Sequence, residues 1–202
     1  KSNLVGWWPS FPAEPINGVV VSDKFQKVHK NPKKKNPIQK GTIHPESLVK
    51  SLQDLRMFPH EVTAAHILPC IPKASEINQE KDIRLQSFAK ILAENASVHA
   101  TSTNLMRNTE WDFMAVYYDL IDHFCHTFMK FHPPKLKEVP LNLYEIYKDA
   151  VVSAYKIQDM MLERTMQLVD DDTTIIVMSD HGFESGHRRI LKMPKYPAAP
   201  AL

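Results

Sequence analysis

The sequence has few cysteines, no long apolar run and little net charge. Its two cysteines, Cys70 and Cys125, lie far apart and form no CxxC pair, which argues against a disulfide framework and against a zinc–cysteine site. No run of 18 apolar residues occurs, and the first residues form no signal-like apolar stretch. We therefore expect no membrane segment and no targeting signal in this chain, which leaves a cytoplasmic and an exported location equally open. The formal charge of +2 is too small to indicate nucleic acid as a specific partner.

The length and the two ends of the chain predict an incomplete domain. The 202 residues, 43% of them hydrophobic, are enough for one sizeable core but not clearly for two. The chain enters an apolar segment almost directly after Lys1, and a Pro-rich end over residues 194–202 follows the last apolar run without a closing element. We expect residues 1–202 to form one partial domain that lacks elements at both ends.

The order of apolar segments predicts an α/β fold. Short segments rich in β-branched or aromatic residues predict four strands, at residues 4–8, 18–21, 113–118 and 174–178. Apolar residues at helical spacing predict helices at residues 45–55, 81–95 and 142–169, the last packing one side against the sheet. The strand–helix–strand order over residues 113–178 indicates a right-handed crossover and hence a mostly parallel sheet flanked by helices.

A basic segment interrupts this pattern at residues 24–40. It contains seven lysines, two prolines and little apolar content, which is typical of a solvated surface loop. A phosphate-binding or nucleic-acid patch is the less favoured interpretation, because Phe25 is the one aromatic residue in the segment and single-strand binders use aromatic stacking.

Two Asp–His pairs are the features that carry chemistry. Asp180 and His181 follow the apolar run at residues 174–178, so a strand ending there would deliver both side chains to the carboxyl edge of a sheet. Asp122 and His126 are four residues apart, which places both side chains on one face of a helix. Two such pairs suggest a two-metal site.

Each pair also has a simpler interpretation. Asp180 can cap a following helix, since aspartate is a favoured N-cap and Gly182 suits a turn. Asp122 and His126 can be a surface helix pair with His123 as an exposed neighbour. Asp119 is expected to be an ordinary carboxylate at a strand end rather than a residue that orients the ligands.

The same residues carry a resemblance to a known family. The segment from Tyr117 to Asp122 with His126, and the segment from Val177 to Phe183, resemble the type I phosphodiesterase/nucleotide pyrophosphatase family of the alkaline phosphatase superfamily. Residues 5–19 also look like the middle of members of that family. The resemblance implies an alkaline-phosphatase-like core.

The resemblance also implies a cofactor and a set of ligands. Members of the family bind two divalent ions, and we expect zinc here, with manganese as the alternative. Asp122 and His126 would bind one ion, and Asp180 and His181 would bind the other. The nucleophilic threonine or serine and an aspartate ligand would precede Lys1, and a last histidine ligand would follow the chain. His187 is not matched to that last ligand and is expected to face the substrate or support the ligands.

The expected function is therefore a metal-dependent hydrolase of phosphodiester or phosphoanhydride bonds in small phosphorylated or nucleotide-like substrates. The 202-residue piece alone is expected to turn over weakly or not at all. Sulfatases and phosphoglycerate mutases share the metal scaffold, so the reaction can differ while the ligands stay in place. The alternative is a non-catalytic metal-binding or protein-interaction module with an incomplete site. One of Trp7 and Trp8 is expected to face the core, with a substrate groove lined by both as the other interpretation.

Overall fold

The centre of the structure, a computed structural model that describes residues 1–27 and 36–184, is a four-stranded mixed sheet. Its strands are β1 (Ser2–Val5), β2 (Gly18–Val21), β3 (Ile43–His44) and β4 (Phe113–Val116), arranged in the order β3-β2-β1-β4. Strand β1 pairs in parallel with both β2 and β4, and only β3 is antiparallel, to β2. The predicted α/β fold with a mostly parallel sheet flanked by helices is confirmed.

Strands β1 and β4 end side by side, which brings the residues that follow them together. Val5 lies opposite Val116, and the Tyr117 amide then donates to the Val5 carbonyl at 2.9 Å. Strand β1 stops there because Gly6 adopts a φ of +77°. A Cβ on Gly6 would lie 3.0 Å from the Tyr117 carbonyl oxygen, so this close approach of the two chain segments requires glycine. Trp7 and Trp8 therefore lie beyond the strand and not in it as predicted.

The described chain also contains six α-helices. They are α1 (Val49–Leu52), α2 (Ala64–Ile67), α3 (Arg84–Asn108), α4 (Leu120–Phe128), α5 (Leu141–Tyr147) and α6 (Ala150–Met166). Short 3-10 helices lie at Glu46–Leu48, Gln53–Leu55, Pro59–Glu61, Ala74–Glu76 and Met129–Phe131. The helix predicted at residues 45–55 is present as a succession of short turns, the one predicted at 81–95 is longer, and the one predicted at 142–169 is two helices.

Two apolar clusters hold these elements together, and α3 belongs to both. The first half of α3 contributes Phe88, Ile91 and Leu92 to a first apolar cluster with α4, α5 and α6. The second half contributes Val98 and Leu105 to a second apolar cluster formed with β1, β2 and the segments that follow β2. Helix α6 packs against α4. The prediction that this helix packs against the sheet is wrong, because its buried residues lie in the first apolar cluster, which contains no strand residue.

The strand predicted at residues 174–178 is not formed. None of these residues joins the sheet, and the side chains of Ile176, Val177 and Met178 are three-quarters exposed. The predicted crossover over residues 113–178 therefore has no closing strand, and β4 is the outer strand of the described sheet. A local apolar run specifies strand propensity but not a pairing partner, and the pairing decides whether a strand forms.

Two residues near the start of the basic segment lie in the core. Phe25 and Gln26 are 1% and 4% exposed, so the interpretation of residues 24–40 as a solvated loop is wrong for these two, whereas Lys24 and Lys27 are exposed. The Arg56 guanidinium donates to the Lys27 carbonyl at 3.1 Å. Residues 28–35 of this segment, His187 and the Pro-rich end at 194–202 lie outside the described residues.

Within residues 1–27 and 36–184, no helix is both long and apolar enough to cross a membrane.

A buried polar contact ties α3 to the end of β4 and predicts a pH dependence. The Tyr118 hydroxyl lies 2.9 Å from His99 Nδ1 and 3.4 Å from Ser102 Oγ. Burial, together with the positive charge of Arg164, lowers the pKa of His99 below its ordinary value. The folded protein thus binds this proton less tightly than the unfolded chain does. The stabilisation is complete above the unfolded pKa, about 6.5, and is lost as the pH falls through the folded pKa.

We expect His99→Gln, which still hydrogen-bonds but does not titrate, to flatten this dependence. Urea unfolding between about pH 7.5 and pH 5 should show a smaller loss of unfolding free energy in the variant than in the wild type. Equal losses in both proteins would show that His99 does not contribute.

Candidate metal centre

Helix α4 carries the first predicted pair, and its sequence explains which side the pair occupies. Leu120, Phe124 and Phe128 recur every four residues and are fully buried in the first apolar cluster. Asp122 and His126 lie on the opposite side, with 34% and 64% of their side chains exposed. Since α4 starts just after β4, this side of the helix lies near the carboxyl edge of the sheet.

The four predicted ligands lie in one connected group, the Asp122 cluster, formed by Asp122, His126, Asp180 and His181. Asp122 Oδ1 lies 3.4 Å from His126 Nε2 and 3.9 Å from His181 Nε2. His181 Nε2 in turn lies 3.8 Å from Asp180 Oδ2. Asp122 is thus at the centre of the group and contacts a histidine from each predicted pair.

Phe183 holds the second pair against α4 without a sheet strand. Its ring meets the rings of His126 and His181 edge-on, at centroid distances of 5.1 and 5.4 Å, and it packs on the first apolar cluster. The prediction that a strand positions Asp180 and His181 is therefore wrong. The contacts of the Phe183 ring position this pair instead. Metal binding by these four residues stays a prediction.

A second group of donors, the Glu94 cluster, lies between α3 and the start of α4. One donor atom each from Glu94, Asp119 and His123 lies within 4.8 Å of the other two. The Lys27 ammonium lies 3.1 Å from Glu94 Oε2 and 3.8 Å from Asp119 Oδ2. His123 Nδ1 lies 3.5 Å from Asp119 Oδ2, and Asn95 Nδ2 donates to the other Asp119 oxygen at 2.9 Å. Asp119 is thus held on several sides and is not a free carboxylate at a strand end.

Tyr117 is close to carboxylates of both clusters and packs against the ring of Trp7. Burial raises the pKa of its phenol, and the negative charges of Asp180, Asp119 and Asp122 raise that pKa further. The Trp7 and Tyr117 rings are 5.6 Å apart, and Trp7 and Trp8 are 39% and 74% exposed. Neither tryptophan is buried, so the expectation that one of them faces the core is wrong. The ring of Trp7 lies beside Tyr117, at the same edge as the acidic residues.

Glu94 and Lys27 are the residues of this region that sequence reasoning missed. Glu94 follows the apolar residues Ile91, Leu92 and Ala93 of α3 and is 2% exposed, so a carboxylate in an apolar run was the available signal. In the sequence Lys27 belongs to the basic segment, where nothing distinguishes it from the other lysines. Only the fold shows that it lies against a buried carboxylate.

A family model described as type I phosphodiesterase / nucleotide pyrophosphatase matches residues 7–197, which is nearly the whole chain and includes both clusters. No curated protein and no solved structure is significantly similar to the chain.

Proposed function

Because the chain belongs to the type I phosphodiesterase/nucleotide pyrophosphatase family, we propose that it contributes the Asp122 cluster to a metal-dependent hydrolase of phosphodiester or phosphoanhydride bonds. One observation supports this most strongly. Asp122 meets His126 from its own helix and His181 from a distant segment, although no regular element forces that meeting. A surface helix pair on its own would explain the first contact but not the second.

The residues of the Asp122 cluster fit divalent ions of the zinc or manganese type. Two carboxylates supply negative charge and short reach, and two imidazoles supply directional nitrogens, the ligand set that zinc takes in hydrolytic sites. The side chains of His181 and Asp180 are 55% and 78% exposed, so ions and substrate can reach them. Bound divalent ions would neutralise the phosphoryl oxygens and favour attack by a hydroxyl nucleophile. We propose two ions, with Asp122 and His126 serving one and Asp180 and His181 the other.

The aromatic edge favours substrates with a planar group beside the phosphate. The Trp7 ring, supported by Tyr117, offers an exposed face next to the acidic residues, and nucleobases and nitrophenyl groups stack on such faces. We propose nucleotide-like phosphodiesters as the substrate class on this basis.

Trp7→Ala is expected to raise KM for a p-nitrophenyl phosphodiester about three- to tenfold with little change in kcat, since an aromatic pair contributes about 0.5–1.5 kcal/mol. Trp7→Phe should restore most of the affinity. Trp111→Ala removes a tryptophan at the opposite end of β4 and should leave KM unchanged. A KM that is equal in wild type and Trp7→Ala would remove this ring from the substrate site.

The alternative function, a metal-binding or protein-interaction module with an incomplete site, makes different predictions. The test is hydrolysis of p-nitrophenyl phosphodiesters and nucleotide pyrophosphates by the complete protein, with zinc or manganese and with a chelator. Metal-dependent turnover supports the hydrolase, and metal binding without turnover supports the module.

A further inference from the structure

Glu94 is the most deeply buried carboxylate of the region, and two lysines of the described residues form ion pairs with it. Its side chain is 2% exposed, and its Oε1 atom accepts no hydrogen bond within the described part of the chain. Lys90 reaches Oε1 at 3.7 Å from one helical turn away, with a side chain that is 58% exposed. An exposed contact of this kind contributes little. A buried carboxylate with an unsatisfied oxygen is costly unless a cation compensates it.

Lys27 shows that the pocket attracts a cation. Its ammonium lies between Glu94 and Asp119, one carboxylate on each side, at the distances given above. Its side chain is 40% exposed, so the ammonium reaches this position from the solvent side and can leave it by a rotation of its flexible stem. One positive charge on a partly exposed side chain thus faces two carboxylates, Glu94 on α3 and Asp119 directly before α4.

The donors have the chemistry and the spacing for a divalent ion. Glu94, Asp119 and His123 offer two carboxylate oxygens and one imidazole nitrogen within 4.8 Å of one another. Asp119 and His123 are four residues apart, the same spacing as Asp122 and His126, and the two pairs are displaced by three residues. Residues three apart on a helix are neighbours, so α4 presents two consecutive Asp–His pairs on adjoining parts of its surface.

We propose that Glu94, Asp119 and His123 form a further divalent-cation site. The Lys27 ammonium competes with the ion for the two carboxylates of this site. The mixed oxygen and nitrogen donor set suits manganese or zinc better than calcium or magnesium. A bound ion would displace Lys27 towards solvent and link the middle of α3 to the start of α4. This site is separate from the Asp122 cluster and does not depend on the hydrolase activity.

The test is a titration of the complete protein with Mn²⁺ alone, followed by electron paramagnetic resonance of the free ion. Asp122→Ala combined with Asp180→Ala weakens binding at the Asp122 cluster, and we expect one Mn²⁺ per chain to bind in this background. Adding Lys27→Met should tighten that binding by at least about tenfold, because it removes a positive charge that lies 3.1 Å from Glu94 and 3.8 Å from Asp119. Adding His123→Ala to the double-alanine background, with Lys27 in place, should weaken Mn²⁺ binding by at least about tenfold, because a direct ligand is lost.

Glu94→Gln should also abolish this binding, and Glu76→Gln, at an exposed carboxylate outside both clusters, should not change it. His123 is partly exposed, so its variant remains informative if Glu94→Gln does not fold. The proposal is overturned if no Mn²⁺ binds in the double-alanine background either with Lys27 or with Met in its place. It is equally overturned if binding persists unchanged in His123→Ala. In either case the Glu94 cluster is a structural ion pair.

Discussion

Asp122→Ala is expected to lower the kcat/KM of the complete protein for a p-nitrophenyl phosphodiester by about three orders of magnitude, with a parallel loss of bound zinc or manganese. Asp122 Oδ1 lies within 4 Å of a ring nitrogen of both histidines of its cluster. Its removal takes one negative charge from the site and removes the carboxylate that the two imidazoles share. Metal content by mass spectrometry and initial hydrolysis rates measure the two effects.

Two further variants make this result specific. Asp180→Ala should lower the same two quantities, because Asp180 contacts the cluster through His181. Asp159→Ala changes an exposed aspartate on α6 and should alter neither. Wild-type rates and metal content in both Asp122→Ala and Asp180→Ala would refute the assignment of this cluster to catalysis.

Phe124→Ala is expected to lower the free energy of unfolding by about 3–5 kcal/mol, the range for a fully buried phenylalanine. Phe124 is 0% exposed, and its ring packs against Phe88 of α3 at 5.1 Å and Phe128 at 5.6 Å. Alanine would leave a cavity at the junction of α3 and α4 that neighbouring aromatic rings cannot fill without leaving their own contacts. Urea unfolding followed by circular dichroism measures the change.

Phe113→Ala is the matched control, because Phe113 is 56% exposed at the start of β4. Its cost should be about 1 kcal/mol or less, the span of strand preferences. If both variants lose the same stability, the core does not lie where the structure places it.

The sequence predicted the class of the fold better than its boundaries. Parallel pairing and flanking helices follow from the order of apolar segments, which is a property of the whole chain. The end of β1 depends on the left-handed conformation of Gly6, and the sequence alone does not distinguish this glycine from one that continues a strand. The position of α6 depends on which apolar surface it meets, and helical periodicity shows that a face is buried without showing against what.

The candidate site was predictable where spacing is local. The placement of Asp122 and His126 on one face follows from helical spacing. Their proximity to His181 was predicted from the presence of two Asp–His pairs and from the family resemblance. Glu94 and Lys27 were not predicted, because they come from distant segments and meet only after α3 has packed under the start of α4. Tertiary contacts between single charged residues leave no periodic trace in a sequence.

Helix α3 contributes buried residues to both apolar clusters and also carries Glu94. The position of this carboxylate therefore depends on the packing of both clusters. Displacing α3 would expose apolar residues of both clusters at once, so a movement of this helix costs contacts on each side of it. Because Glu94 belongs to the same helix, a shift of this carboxylate together with its backbone carries that double cost.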